Sequence, residues 1–304
     1  MIAFPPYNSS SSASYKPSDE KVGFMVPGTG AFFAGNFSRE TIAIGDLSFE
    51  NQEFVEMLDA RAEGFLSMYS GFNGVLGLAP KTKEKKLQDL TSTNVSSSWE
   101  SFTSSKKLDR NMFSLTLPSE PQTPPTYNLD HTGELVFGGL PEGCKEEDAI
   151  KLPLKKNSPV WATSLESFTI EGDFNTTFEN GTAIFSTSNI LILFPHSVAK
   201  HIGAHVGEYE TINLLTAFNC TKRDTLPDLT FGIGSQKITI KSDQYTWKTT
   251  FSDEVEKCFI GLRKEDNFKN TIALGTTFLK NYKTAFDQDS EQVLLWPYRQ
   301  ESAS

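Results

Sequence analysis

A short polar turn between two apolar runs is the feature of this sequence that most constrains its fold. Residues 183–185 (AIF) and 190–194 (ILILF) are apolar, and the small polar residues 186–189 (STSN) separate them ahead of Pro195. Apolar runs of this length, bounded by turn residues, are typical of strands buried in a sheet. The stretch therefore predicts a strand, a polar loop and a second apolar run.

Composition extends this prediction to the rest of the chain. The 304 residues are enough for one large or two medium domains. The 24 phenylalanines, together with frequent glycine and proline, favour short strands and tight turns over helices. Residues 41–44 (TIAI) and 237–240 (KITI) alternate between polar and apolar, as half-buried strands do. We expect an all-β fold.

Charge and hydropathy exclude two classes of partner. The net charge of −10 opposes binding to nucleic acid, because phosphates would be repelled by this surface. No apolar run approaches the roughly 18 residues needed to cross a bilayer, so no transmembrane segment is predicted. Residues 1–9 have neither a basic region nor a continuous apolar run, so no signal peptide is predicted there.

The stretch 183–192 resembles the Ile-Val-Asp-Thr-Gly-Thr-Ser-Leu motif of pepsin-like aspartic proteases, and Ser186 stands at the position of the second catalytic aspartate. Other segments resemble family motifs in the same order along nearly the whole chain. They are 26–30 (VPGTG, the flap), 35–45 (GNFSRETIAIG), 72–78 (FNGVLGL), 112–118 (MFSLTLP), 133–139 (GELVFGG), 226–231 (LPDLTF), 273–275 (ALG) and 278–287 (FLKNYKTAFD).

The resemblance implies a bilobal pepsin-like acid protease fold. Residues 1–150 would form an incomplete N-terminal lobe with the flap, and residues 151–304 a C-terminal lobe. In relatives, the first Asp-Thr-Gly triplet and several strands precede the segment that matches the start of this chain. We therefore expect an N-terminally truncated lobe without the first catalytic aspartate. Such a lobe should expose strand edges and apolar surface.

The family's chemistry needs two carboxylates that share one proton, one acting as base on a water and the other as acid on the peptide carbonyl. A serine hydroxyl at position 186 can form hydrogen bonds but cannot take a proton from water. No catalytic residue is therefore assigned. The predicted substrate-cleft residues are Pro27, Gly28, Thr29 and Gly30 from the flap and Ser186, Thr187 and Ser188 from the second active-site loop.

These departures from the family pattern predict a catalytically inactive, truncated pseudoprotease. Pro27 replaces the family's flap tyrosine, and Ser188 replaces the glycine that allows close backbone packing. One alternative is a binding or inhibitory module that holds a peptide or protein ligand in the former cleft. Another is a fragment of a longer secreted aspartic protease gene. No cofactor is implied, because the family mechanism uses only water and two carboxylates.

The sequence signals for other kinds of functional site are weaker. His201 and His205 have the i, i+4 spacing that places two imidazoles on one helix face, as a zinc site needs. No third ligand is identifiable, so a solvated helix face is expected and no metal is predicted. Residues 28–30 lack the further glycine or lysine of a nucleotide-binding loop. Ser186 lacks the G-x-S-x-G setting of a serine hydrolase.

The cysteines and the glycosylation motifs bear on the compartment. Cys220 and Cys258 occupy the positions of the family's second-lobe disulfide, which would stabilise the fold by about 4 kcal/mol; Cys144 is left over. Together with the Asn-x-Ser/Thr motifs, this pair favours an extracellular or secretory-pathway protein, with reduced buried thiols as the alternative. The predicted glycan acceptors are Asn8, Asn36, Asn94, Asn175, Asn180 and Asn219.

Overall fold

The computed structural model describes residues 7–26, 31–61, 74–80, 97–118, 133–212, 215–250 and 256–298. The chain divides into two compact units, Met1–Asp109 and Arg110–Ser304. The unit boundary falls before the predicted lobe boundary at residue 150, since the strands that follow Asp109 pair with C-terminal strands. The division into lobes at residue 150 stays a prediction.

The described residues of the first unit form one antiparallel sheet. Its strands are β1 (Lys16–Val26), β2 (Ala31–Ile44) and β3 (Leu47–Arg61), and they lie in that order, with β2 in the middle. Gly45 supplies the positive φ of 56° in the two-residue turn between β2 and β3, a conformation that glycine adopts without strain. A 3₁₀ helix, Ser9–Ser11, precedes the sheet, and helix α1 (Ser98–Ser104) follows it.

Helix α1 closes the core of this unit. Ser97 caps the helix, since its hydroxyl accepts a hydrogen bond from the Glu100 backbone N–H at 3.1 Å. The side chains of Trp99 and Phe102 are fully buried, and the Phe102 ring stacks on Phe49 of β3 with 4.0 Å between ring centroids. Burial of such aromatic rings contributes about 2–3 kcal/mol each.

In the second unit, the residues that the structure describes form three sheets of five, seven and four strands. Their neighbour orders are β5-β4-β18-β19-β6, β13-β12-β7-β8-β17-β9-β16 and β10-β11-β15-β14. The strands are β4 (Met112–Thr116), β5 (Glu134–Phe137), β6 (Ile150–Pro153), β7 (Ala162–Ile170), β8 (Phe174–Phe185), β9 (Ile192–Phe194), β10 (Tyr209–Ile212), β11 (Leu215–Phe218), β12 (Leu229–Ile233), β13 (Gln236–Ile240), β14 (Thr246–Thr250), β15 (Glu256–Ile260), β16 (Leu262–Lys264), β17 (Thr271–Leu274), β18 (Tyr282–Asp287) and β19 (Gln292–Pro297).

Helices are few and short in this unit. They are α2 (His196–Val206), α3 (Ser242–Tyr245) and α4 (Thr276–Leu279), with 3₁₀ helices at Glu146–Asp148 and Cys220–Thr225. Strands thus dominate both units, and the all-β prediction is confirmed. Among the described residues, no helix is both long and apolar enough to cross a membrane.

Aromatic rings form the core beneath the seven-stranded sheet. The Phe168 ring lies 4.9 Å from Phe194 and 5.1 Å from Phe231, and Phe231 lies 5.6 Å from Phe278, between ring centroids. All four side chains are fully buried. Tilted and edge contacts of this kind add about 1 kcal/mol to the burial itself. This packing accounts for four of the 24 phenylalanines in the sequence.

A buried carboxylate fixes the hairpin between β18 and β19. Asp287 is fully buried, and its Oδ1 accepts hydrogen bonds from the backbone N–H groups of Asp289 at 3.1 Å and Ser290 at 3.2 Å. Its Oδ2 accepts a hydrogen bond from Arg110 Nη2 at 2.9 Å. Arg110 also donates to Glu146 at 3.0 Å. The carboxylate therefore ties the start of the second unit to its C-terminal hairpin.

Replacement of Asp287 by asparagine should destabilise the chain by about 2–3 kcal/mol, because a charged hydrogen-bonded pair is lost and an amide N–H₂ then faces the guanidinium. Urea denaturation would measure this as a lower midpoint. Glu256→Gln is the matched control, because it removes the exposed pair of Glu256 with Lys248 and should cost less than about 1 kcal/mol. Equal losses in the two variants would contradict the role given to Asp287.

Glu40 on β2 is a second carboxylate with several donors. Its side chain accepts hydrogen bonds from Ser14, from Tyr7 at 2.6 Å and from the Thr41 backbone at 2.8 Å, and the residue is 8% exposed. Hydrogen bonds from Ser12, then Ser14 and Tyr7, lower the pKa of Glu40 to about 2. These donors stabilise the ionised form of the carboxylate.

A lowered carboxylate pKa stabilises the folded state at pH values above the pKa of the unfolded chain, and this contribution is lost as pH falls toward 2. Glu40→Gln should therefore reduce stability near neutral pH, and its stability should change less than that of the unaltered chain between about pH 5 and about pH 2. Urea midpoints measured across this range test the prediction. Glu50→Gln, an exposed carboxylate on β3, is the control and should follow the unaltered chain.

Candidate functional site

Ser186 lies where strand β8 ends. Strand β8 runs parallel to β17, with Phe185 opposite Leu274, and the Ser186 backbone N–H donates to the Leu274 carbonyl at 3.1 Å. Strand β9 lies on the other side of β17, where Leu193 is opposite Ala273. The chain therefore leaves β8 at Ser186, passes through a loop and returns to the same sheet. We call residues 186–191 the serine loop.

Backbone contacts hold the serine loop against the end of β17. The Thr276 N–H donates to the Asn189 carbonyl at 2.8 Å, and the Thr277 N–H donates to the Ile190 carbonyl at 2.9 Å. Gly275 permits this approach, since a Cβ at that position would lie 2.3 Å from the Leu191 carbonyl oxygen and 2.5 Å from that of Asn189. The loop conformation thus depends on main-chain contacts and on the missing Cβ of Gly275.

The side chains of the serine loop provide hydroxyl groups. Ser186 is partly exposed, and Thr187 and Ser188 are exposed. The Oγ atoms of Ser186 and Ser188 are 2.7 Å apart, a hydrogen-bonding distance in which either atom can donate. Hydroxyls can orient a bound polar group, but they stay protonated at acid and neutral pH and do not serve as a base on their own.

Sequence reasoning missed the buried hydroxyl beside this loop. Thr277 is fully buried, and a Cβ on Gly261 would lie 2.6 Å from its Oγ1. In the part of the chain that the structure describes, this oxygen has no hydrogen-bond partner. The pair of threonines after Leu274-Gly275 is the only sequence signal for it.

The predicted cleft residues Ser186, Thr187 and Ser188 lie together, whereas Pro27, Gly28, Thr29 and Gly30 lie outside the described residues.

The two histidines singled out from the sequence face an acidic side chain. Asp173 Oδ2, from the turn between β7 and β8, lies 3.1 Å from His205 Nε2 and 3.8 Å from His201 Nδ1. The His201 ring also stacks on Phe174, with 3.9 Å between centroids. Both histidines are about one-third exposed, so their helix face is partly covered rather than fully solvated. Within the described ranges, no group of three or more His, Cys, Asp or Glu side chains is suited to a metal ion.

A disulfide joins Cys220 and Cys258, with 5.0 Å between the Cα atoms. It links the 3₁₀ helix Cys220–Thr225 to strand β15 and closes a loop with a sequence separation of 38. Cys144 is a free, partly buried thiol, and burial raises its pKa. The Cys220–Cys258 pairing is the one that the family resemblance implies for the second lobe.

The predicted glycan acceptors occupy different settings. Asn8, Asn175, Asn180 and Asn219 are exposed, whereas Asn36 is half-buried in the middle strand of the first sheet. Asn94 lies outside the described residues.

Sequence comparison relates the chain to a known family of proteins. The sequence profile of the eukaryotic aspartyl proteases matches residues 4–297. The chain is 26% identical to cathepsin D of Chionodraco hamatus, over 94% of this chain and 68% of that protein. It is 25% identical to vacuolar protease A of Aspergillus fumigatus, over 94% of this chain and 67% of that protein. It is 22% identical to pepsin II-1 of Oryctolagus cuniculus, over 94% of this chain and 68% of that protein.

Because the family profile spans nearly the whole sequence, the chain belongs to the eukaryotic aspartyl protease family. The resemblance to pepsin-like aspartic proteases is confirmed. The chain spans about two thirds of the length of these relatives.

Gly275→Ala should destabilise the chain by about 3 kcal/mol, because the added Cβ would collide with two backbone carbonyls that cannot rotate away. Gly203→Ala is the matched control. No atom lies within 4 Å of a Cβ at Gly203, which is exposed in helix α2. That substitution should be neutral or stabilising by about 0.5–1 kcal/mol. Thermal unfolding of the two variants measures the difference. Equal unfolding midpoints would refute the role given to Gly275.

Proposed function

We propose that this chain is a catalytically inactive member of the aspartyl protease family that binds peptide segments without cleaving them. The observation that supports the proposal is Ser186, which lies at the end of β8 where the family resemblance places the second catalytic aspartate. Its Oγ is hydrogen-bonded to Ser188 at 2.7 Å.

The electrostatics of the reaction explain why serine at this single position is sufficient to abolish catalysis. Catalysis in the family needs two carboxylates close enough to share a proton, so that one can accept a proton from water while the other donates one. With serine at one of the two positions, a carboxylate at the other would have no second carboxylate with which to share that proton. A serine hydroxyl offers a hydrogen bond, which is a binding interaction. Loss of one member of such a catalytic unit typically costs many orders of magnitude in rate.

The same loop can still hold a ligand. Its conformation is set by backbone contacts with Gly275, Thr276 and Thr277, which do not involve the side chain of residue 186. We therefore propose a peptide or protein ligand in the cleft that the family resemblance implies. The disulfide supports an oxidising, secretory-pathway compartment. Relatives named vacuolar protease A are compatible with such a compartment.

Proteolysis of denatured haemoglobin between about pH 2 and about pH 7, with and without pepstatin, tests this proposal. We expect the purified chain to release no peptides at any pH in this range. In parallel, fluorescein-labelled pepstatin should show a saturable increase in anisotropy. Pepstatin-sensitive cleavage by the unaltered chain would overturn the proposed inactivity, and the absence of any saturable binding would overturn the proposed ligand binding.

Ser186→Asp and Thr187→Ala form the matched pair of variants. The first returns a carboxylate to the end of β8, and the second changes the next loop side chain without adding charge. Pepstatin-sensitive cleavage by Ser186→Asp alone would assign the inactivity to this one position. Absence of cleavage in both variants would assign it to more than Ser186.

A further inference from the structure

We propose that Asn8 and Asn219 are the preferred N-glycan acceptors of this chain, and that Asn36 is closed to modification. The inference rests on the proposed secretory-pathway compartment and not on the proposed loss of catalysis. It rests on the local geometry of the described Asn-x-Ser/Thr motifs, which differ in exposure and in the partners of their hydroxyl groups.

The reaction joins an asparagine side chain to an activated sugar. A lipid-linked oligosaccharide diphosphate supplies the sugar. The Asn Nδ2 forms a bond to C1 of the first sugar while the bond from C1 to the phosphate oxygen breaks. The lipid diphosphate leaves with that electron pair, and the displaced Nδ2 proton passes to a base. An acceptor therefore needs an accessible Nδ2, and its motif carries a hydroxyl two residues later.

Asn219 meets these requirements. Its Oδ1 accepts hydrogen bonds from the Thr221 backbone N–H and from Thr221 Oγ1, both at 3.0 Å. Both residues are exposed. The two hydrogen bonds engage the amide oxygen and leave Nδ2 uninvolved, in a residue that is exposed.

Asn8 repeats this arrangement in the other unit. Its Oδ1 accepts hydrogen bonds from the Ser10 backbone N–H at 3.1 Å and from Ser10 Oγ at 2.7 Å, and both residues are exposed. In each case the asparagine immediately precedes a short 3₁₀ helix. Contacts that span only two residues form from local sequence and do not require the rest of the fold. The same pairing therefore arises independently at the two motifs.

Asn36 has a covered setting. It lies on β2 between Lys21 of β1 and Glu56 of β3. The hydroxyl residue of its motif, Ser38, is only 1% exposed and lies 3.1 Å from the Tyr15 hydroxyl. Tyr15 also donates to Glu56 at 2.9 Å. Residues two apart on a strand share a face, so an oligosaccharide on Asn36 would have to displace the segment that carries Tyr15.

Two further motifs have an exposed asparagine, but among the described contacts its Oδ1 accepts no hydrogen bond from the hydroxyl of its own motif. Asn175 Oδ1 accepts from Thr169 at 3.2 Å instead of from its own motif. The motif hydroxyl of Asn180 belongs to Thr182, and it accepts a hydrogen bond from Lys155 Nζ at 2.8 Å. We therefore expect less glycan at Asn175 and Asn180 than at Asn8 and Asn219.

The test is a map of site occupancy in the full chain, expressed in a eukaryotic host behind a cleavable signal peptide. Enzymatic deglycosylation in ¹⁸O-labelled water converts each glycan-bearing asparagine to labelled aspartate, which peptide mass spectrometry counts. Both the secreted and the cell-retained pools are measured, so that a folding defect does not remove the readout. We expect the highest occupancy at Asn8 and Asn219, lower occupancy at Asn175 and Asn180, and none at Asn36.

Gel mobility gives an independent check. Asn8→Gln and Asn219→Gln should each lower the apparent mass of the chain by that of one glycan, whereas Asn36→Gln should leave the apparent mass unchanged. Occupancy at Asn36, higher occupancy at Asn175 or Asn180 than at Asn8 and Asn219, or an entirely unmodified chain would overturn the inference.

Discussion

The contact between the serine loop and Gly275 is the constraint on which the candidate site depends. Carbonyl oxygens of Asn189 and Leu191 lie where a Cβ of residue 275 would be, and the next two backbone N–H groups bond to the carbonyls of Asn189 and Ile190. These main-chain interactions position the end of β8, and with it Ser186. The side chain at position 186 is free to change without loss of this framework.

This separation of scaffold and chemistry explains how a member of a protease family can keep its architecture while its active-site chemistry changes. The Phe168–Phe231 contact beneath the seven-stranded sheet and the Asp287–Arg110 pair stabilise the second unit, and neither involves a side chain of the serine loop. A carboxylate brought close to another is costly to ionise, whereas a hydroxyl at the same position carries no such repulsion. Stability and activity therefore place different demands on this position.

Much of the fold followed from the sequence because its signals are local. The apolar run 183–185 is the end of β8, and the alternating segments 41–44 and 237–240 lie in β2 and β13. The second apolar run was predicted less well, since Ile190 and Leu191 belong to the loop and β9 begins at Ile192. Their carbonyls are engaged by Thr277 and by the close approach of Gly275, which no local pattern shows.

The site itself was only partly predictable. Ser186 could be located by its place in a motif, whereas its hydrogen bond to Ser188 is visible only in the structure. The face of His201 and His205 could be placed on a helix from their spacing, whereas Asp173 is distant in sequence and no periodicity links it to them. The same holds for Arg110 and Asp287, which are separated by 177 residues. Pairings over such distances depend on the tertiary fold.

A crystal structure of the chain with a bound peptide-like inhibitor that carries a central hydroxyl, determined at acid pH, would show which side chain meets that hydroxyl. We expect Ser186 Oγ to lie about 3 Å from that hydroxyl, at the end of β8, with the serine loop in place against Gly275. An inhibitor hydroxyl held between two carboxylates, with Ser186 out of reach, would contradict it.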